Sequence, residues 1–201
     1  MEKHITIPNG KETIAACIDE QSDMHAIVIM HPHSLMGGNM DNPIVQTAQQ
    51  VFASKGLSTV RFNFRGVGYS TGVFDDGIGE QDDLKAVISF LKTKGIYQID
   101  LIGYSFGSWV LAHAAQTKLD YSHAMMISPP IAFMDFSEIQ QFPNLIHVVT
   151  GSRDTYAPPD LIKKFLTACH SEAQLDIIEG ADHFYSSYML DIEKIFNRWH
   201  I

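Results

Sequence analysis

The chain has 201 residues, 45% of them hydrophobic and 18% charged, which suits one domain with a sizeable core and excludes a disordered or low-complexity protein. Its net charge of −9, without long runs of one sign, argues against nucleic acid or an anionic membrane surface as a partner. No apolar run reaches the length of a bilayer span, the first residues carry no basic-then-apolar leader, and Cys17 and Cys169 show no metal or redox spacing, so the expectation is a cytoplasmic protein with reduced, buried thiols.

Residues 4–7 and 13–18 alternate about Pro8-Asn9-Gly10, which predicts a hairpin. His25-Ala26-Ile27-Val28-Ile29-Met30 is a continuous apolar run, as expected of a strand buried on both faces. It ends in a loop, 31–39, that carries His31, Pro32, His33 and the pair Gly37-Gly38. Ile44, Val45, Ala48, Val51 and Phe52 recur at helical spacing until Gly56. A strand over 58–64 runs into the glycine-rich stretch from Arg65 to Gly72, and acidic Glu80, Asp82 and Asp83 then open a helix that carries Leu84, Val87, Ile88 and Leu91.

Further strands are predicted at 99–102, 124–128, 145–150 and 174–178. They alternate with helices marked by Trp109, Val110, Leu111 and Ala114, by Leu161, Ile162, Phe165 and Leu166, and by Tyr188, Met189, Ile192, Ile195, Phe196 and Trp199. This alternation predicts a single α/β domain over 1–201: a mostly parallel sheet of about eight strands, covered by helices on both faces. In such sheets function collects in the loops beyond the carboxyl ends of the strands, and the conspicuous polar stretches all fall there.

Gly103-Tyr104-Ser105-Phe106-Gly107 stands between a strand and a helix. A Gly-x-Ser-x-Gly stretch in that context lifts the serine hydroxyl clear of the backbone in a sharp turn. A serine needs a base to take its proton, and the imidazole needs a carboxylate to fix its tautomer. His183 follows the last predicted strand and Asp154 the strand before it, so the chain order Ser105, Asp154, His183 places all three at one sheet edge. Asp135 is an alternative acid, and Asp182 is expected to shape the loop of His183. An oxyanion is expected to meet the backbone N–H of Phe106, at a helix start, and that of His33, because Pro32 has no N–H to give. His31 reads as a loop brace, with a metal role for His31 and His33 the minor reading, since no further ligand follows at metal spacing. Arg65 with Gly66 and Gly68 reads either as a braced turn or as an anion-binding loop. No cofactor or metal is expected.

The elbow 103–107, Thr-Gly-Ser-Arg-Asp at 150–154 and Gly-Ala-Asp-His-Phe at 180–184 resemble the corresponding motifs of α/β-hydrolases. More narrowly, His31-Pro32-His33 with Gly37-Gly38, and the stretch 62–70, resemble a group of compact bacterial hydrolases related to dienelactone hydrolases. Dienelactone hydrolases proper carry a cysteine nucleophile, and Ser105 in its place points toward ester or thioester cleavage. The resemblance implies a serine hydrolase acting on a small-molecule acyl ester or thioester; a peptidase or acyltransferase with the same residues, or a catalytically silent binding protein, are the alternatives. The interval 131–144 is expected to hold a short helix and a turn, not a lid domain. An open, shallow site is therefore expected, lined by Leu35, Met36, Phe106, Ile131, Phe133, Met134, Tyr156 and Phe184. Monomer and dimer are equally open.

Overall fold

In the computed structural model, which describes residues 2–142 and 144–199, the chain opens with an antiparallel hairpin of β1 (Lys3–Asn9) and β2 (Glu12–Asp19). The predicted strands and helices are present, save one short helix after β6: β3 (His25–Met30), α1 (Pro43–Ser54), β4 (Ser58–Phe62), α2 (Ile78–Thr93), β5 (Gln98–Tyr104), α3 (Phe106–Ala114), β6 (Ala124–Ile127), β7 (Leu145–Gly151), α4 (Pro159–Ala168), β8 (Gln174–Ile178) and α5 (Met189–Arg198). The loop after β3 adds a 3-10 turn, Ser34–Met36. Among the described residues the eight strands form one sheet in the order β1-β2-β4-β3-β5-β6-β7-β8. β2 meets β4 antiparallel, and every pairing from β4 to β8 is parallel.

Side chains alternate across a strand, so a sheet buried on both faces needs apolar residues at odd and even positions alike. Ala26, Val28 and Met30 enter one core with Leu101, backed by Leu84 and Val87 of α2, Val110 and Leu111 of α3 and Ile162 of α4. Ile27 and Ile29 enter the opposite core with Ile102, backed by Val45 and Phe52 of α1 and Ile192 and Phe196 of α5. α1 starts where it does because Asn42 accepts the Ile44 N–H at 3.0 Å and Pro43 takes the first helical position, where an N–H would have no partner.

From β3 the chain crosses through α1 to β4 on one side and then through α2 to β5 on the other. The crevice between the carboxyl ends of β3 and β5 is the topological switch point, the place where open parallel sheets hold their ligands. The loop 31–39 and the turn at Ser105 meet there.

One expectation fails. The interval after β6 forms no helix among its described residues; it is a run of turns. The carbonyl of Asp135 accepts the Trp109 Nε1–H at 2.8 Å and the His113 Nε2–H at 3.0 Å, while Phe136, Ile139 and Phe142 are buried in the core. The Asp135 carbonyl is thus taken by α3, and the local bonds stop at a single turn, with the Phe133 and Met134 N–H groups on the Pro130 carbonyl at 3.0 and 2.9 Å. Cys17 and Cys169 are free and buried, and among the described residues no helix is long and apolar enough to cross a membrane.

Candidate active site

β5 turns into α3 so tightly that a side chain at either flanking glycine would strike backbone. A Cβ on Gly103 would stand 2.5 Å from the Gly107 carbonyl oxygen, and one on Gly107 would stand 2.8 Å from the Met30 oxygen and 2.9 Å from that of His31. Ser105 itself sits at φ 53°, ψ −116°, a backbone state that costs a non-glycine residue on the order of 1–3 kcal/mol. Its N–H is tied to the Ile127 carbonyl at 2.8 Å.

Ser105 Oγ lies 2.9 Å from His183 Nε2, and His183 Nδ1 lies 2.9 Å from Asp154 Oδ2 and 3.0 Å from Oδ1. A carboxylate only accepts, so Nδ1 carries the hydrogen and Nε2 is left to accept from the serine hydroxyl. The imidazole is further fixed from its backbone. Tyr104 donates its hydroxyl to the His183 carbonyl at 2.9 Å, and Asp182 Oδ1 accepts the N–H groups of Phe184 and Tyr185 at 3.0 and 3.2 Å. Asp182 therefore shapes the histidine loop, as expected. Asp135 stands apart: it is exposed, and its carboxylate accepts the Ser137 N–H at 2.7 Å.

Asp154 is buried and heavily donated to. Oδ1 accepts the N–H groups of Tyr156 and Ala157 at 2.9 and 2.8 Å, and Oδ2 accepts the Ser128 hydroxyl at 2.6 Å. Burial pushes its pKa up, but the bonds from His183, Ser128 and Ala157 outweigh burial and hold the carboxyl below its ordinary range. Ser128 in turn lies 2.6 Å from the hydroxyl of the fully buried Tyr185. Since Ser128 gives its hydrogen to Asp154, Tyr185 must donate to Ser128. No motif marks this pair in the sequence. Its one signal is a serine at the carboxyl end of β6, ahead of Pro129-Pro130. Ser128→Ala is expected to remove one hydrogen-bond partner from the Tyr185 hydroxyl and a donor from Asp154, lowering the unfolding free energy in urea by about 1–3 kcal/mol.

Phe106 is the first residue of α3, where the helix provides no carbonyl for its N–H and the helix dipole favours negative charge. The loop 31–39 packs against it: the His33 ring lies 4.8 Å from the Phe106 ring, and the His33 carbonyl accepts the N–H groups of Met36 and Gly38, both at 3.0 Å. His31 holds this loop from below. It is fully buried, its Nδ1–H donates to the Pro32 carbonyl at 2.6 Å, and its Nε2 accepts the Phe64 N–H at 3.0 Å.

Burial lowers the pKa of His31 from 6.5 to about 4. A histidine depressed in the folded state contributes its full stability above its unfolded pKa. That share is lost as the pH falls from 6.5 toward 4, and the shift corresponds to about 3 kcal/mol. In urea unfolding at pH 7 and pH 4.5, the native protein is expected to lose about 2–3 kcal/mol more than a His31→Gln variant does; parallel losses would clear His31 of the effect.

The remaining sequence candidates separate into groups. Tyr156 lies 4.7 Å from the His183 ring, Phe133 stacks on Tyr156 at 4.5 Å, and Phe184 stands 5.6 Å from His183. Leu35 and Met36 are exposed on the 3-10 turn that follows His33, while Ile131 and Met134 are half-buried against the core on the α2–α3–α4 side. Arg65 proves to be a brace: its backbone N–H reaches Asp83 Oδ2 at 2.9 Å and its Nη2 reaches Oδ1 at 2.8 Å. Asp83 is thus a buried partner, and Glu80 accepts the Asp75 and Gly77 N–H groups at the start of α2. Among the described residues, no group of three or more His, Cys, Asp or Glu could hold a metal ion.

A serine on a strained turn after the central strand of a sheet with this order defines the class: an α/β hydrolase. No protein-family model matches the chain. A serine-hydrolase homologue from Coxiella burnetii is 30% identical, with 98% of this chain and 96% of that one covered at a TM-score of 0.87. A lid-less α/β serine hydrolase from Xanthomonas campestris is also 30% identical, with 97% and 91% covered at a TM-score of 0.89. A Rickettsia prowazekii protein described only as uncharacterized is 33% identical over 180 residues, 85% of this chain and 76% of its own. The chain belongs to the lid-less α/β hydrolases.

Proposed function

We propose that the chain is a serine hydrolase that cleaves a carboxylic ester or thioester through an acyl-enzyme on Ser105. The observation that carries this reading is the 2.9 Å approach of Ser105 Oγ to His183 Nε2, with Asp154 at 2.9 Å behind the same ring. Ser105 attacks the carbonyl carbon while His183 takes its proton, and Asp154 stabilises the imidazolium that forms. The oxyanion is held by the N–H groups of Phe106 and His33. The proton on His183 then leaves with the alcohol or thiol, and water repeats the sequence to release the acid. The substrate is a small molecule that reaches an open site lined by Leu35, Met36, Phe133, Met134, Tyr156 and Phe184. One domain over 1–201 carries the whole reaction, in the cytoplasm, where two free buried cysteines stay reduced.

The test is covalent labelling. Incubation with a fluorophosphonate is expected to add one phosphonyl group, mapped to Ser105 by peptide mass, and Ser105→Ala is expected to abolish it. A folded native protein that stays unlabelled would overturn the reading.

A further inference from the structure

We propose that the departing half of the substrate, rather than its acyl half, is recognised by the aromatic wall beside His183, and that this half is an arylmethyl or aryl alcohol. The inference rests on the serine-hydrolase reading and follows from where the proton must go. In acylation the bond from Ser105 Oγ to the carbonyl carbon forms and the serine proton passes to His183 Nε2. When the tetrahedral adduct collapses, the bond from carbon to the alcohol oxygen breaks, and the same proton moves to that oxygen to give the free alcohol. In deacylation water gives its proton to Nε2, its oxygen bonds to carbon, and Ser105 regains the proton. The alcohol oxygen must therefore come within about 2.6–3.2 Å of Nε2. Its substituent starts at the edge of the imidazole and runs over whatever flanks that ring.

On the core side the flank is Tyr104, buried and tied by its hydroxyl to the His183 carbonyl. Three more rings gather beside the imidazole. The half-buried Tyr156 lies 4.7 Å from the His183 ring, with Phe133 stacked on it, and Phe184 stands at 90° to the imidazole. Phe184 also meets Tyr156 at 72°, so the three rings form a corner of two steep walls. Phe133 and Phe184 are 69% and 62% exposed, a poor place for large apolar side chains unless something covers them. Where the loop 31–39 meets the start of α3 the rings already satisfy one another: His33 lies 5.1 Å from Phe74, Phe74 lies 5.6 Å from Phe106, and Phe106 is buried. Free aromatic faces are thus offered on the histidine side, and a flat group in the corner can stack on one wall and present its edge to the other.

The experiment compares kcat/KM in two ester pairs. Benzyl acetate and ethyl acetate differ in the alcohol alone and release alcohols of similar acidity; ethyl phenylacetate and ethyl acetate differ in the acyl group alone. The native protein is expected to favour benzyl over ethyl acetate by about tenfold, the size of two aromatic contacts. In Phe133→Ala and in Phe184→Ala that ratio is expected to fall severalfold, while the ratio within the acyl pair keeps its native value. A preference confined to the acyl pair, or a benzyl preference that survives both substitutions, overturns the inference and leaves the hydrolase reading standing if Ser105 still takes the fluorophosphonate. An unlabelled Ser105 with no ester turned over removes both.

Discussion

Replacing Ser105 with alanine is expected to lower kcat for p-nitrophenyl butyrate by about 10⁴- to 10⁶-fold, the scale on which loss of a serine nucleophile is felt when its base and acid remain. The substitution removes one oxygen whose side-chain hydrogen bond is the one to His183 at 2.9 Å. His183 keeps its bond to Asp154, and the N–H groups of Phe106 and His33 keep their places. A residual rate of roughly 10³–10⁴ over water is therefore expected, supplied by oxyanion stabilisation and binding alone. KM is expected to change little, since Oγ contributes to the transition state far more than to the bound ester. The backbone at φ 53° is set by the tight passage between Gly103 and Gly107, so alanine inherits the same strain and the thermal midpoint is expected to stay within a few degrees. A variant that keeps more than about a hundredth of the native rate would falsify the assignment of Ser105 as nucleophile.

The elbow is legible in the sequence because it is local: strand, glycine, serine, glycine and helix follow without a gap. Asp154 and His183 are legible for a different reason. Parallel strands joined by crossovers send every loop after a strand to the same edge, so chain order alone brings three distant residues together. What acts across the fold from an ordinary residue is not legible. Ser128 reaches Asp154 over 26 positions and Tyr185 over 57, and neither residue type carries a motif. His31 reads as a brace, but its acceptor role toward the Phe64 N–H, 33 positions on, depends on the pairing of β3 with β4. The same holds for Asp83. As a sequence feature it is a charge favourable to a helix start; in the fold it is the buried partner of Arg65, and only their contact decides between a braced turn and an anion-binding loop. The missing helix after β6 has the same origin, since Trp109 and His113 claim the Asp135 carbonyl from α3.

These long-range contacts explain how an uncapped site stays ordered. Here the histidine loop is held from within the domain, by Tyr104 on the His183 carbonyl and by Asp182 on the next two N–H groups. The carboxylate is held by the Ser128–Tyr185 pair. The proposed proton transfer requires precision at Nε2, and buried polar partners of the histidine loop and of Asp154 are suited to supply it.

Asp154→Asn carries the second large effect, a fall in kcat of about 10⁴-fold with the fold retained. The Tyr156 and Ala157 N–H groups at Oδ1 demand an oxygen there, so the asparagine amide nitrogen must take the Oδ2 position. That NH₂ faces His183 Nδ1 at 2.9 Å and Ser128 Oγ at 2.6 Å. It donates where the carboxylate accepted. The NH₂ at the nearer position favours a bare Nδ1 over the Nδ1–H that only Oδ1, at 3.0 Å, could still accept; in that tautomer Nε2 carries the hydrogen, and the ring offers Ser105 a second donor instead of a base. Ser128 Oγ can accept from the new NH₂ and turn its own hydrogen to the Tyr185 hydroxyl at 2.6 Å, but a bond to a charged carboxylate is exchanged for a neutral one, so the unfolding free energy is expected to drop by about 1–2 kcal/mol. In the native protein the carboxyl is held below its ordinary range. Its contribution to stability is therefore present above the unfolded carboxylate pKa and is lost only as the pH falls through the lower folded value, well below the neutral range in which the rates are compared. The measurements are kcat and the rate of fluorophosphonate labelling at neutral pH. Both are expected to fall together, because both need Nε2 free to take the Ser105 proton. A variant that labels at the native rate, or one whose lost activity merely tracks lost folded protein, would show that Asp154 does not set the tautomer.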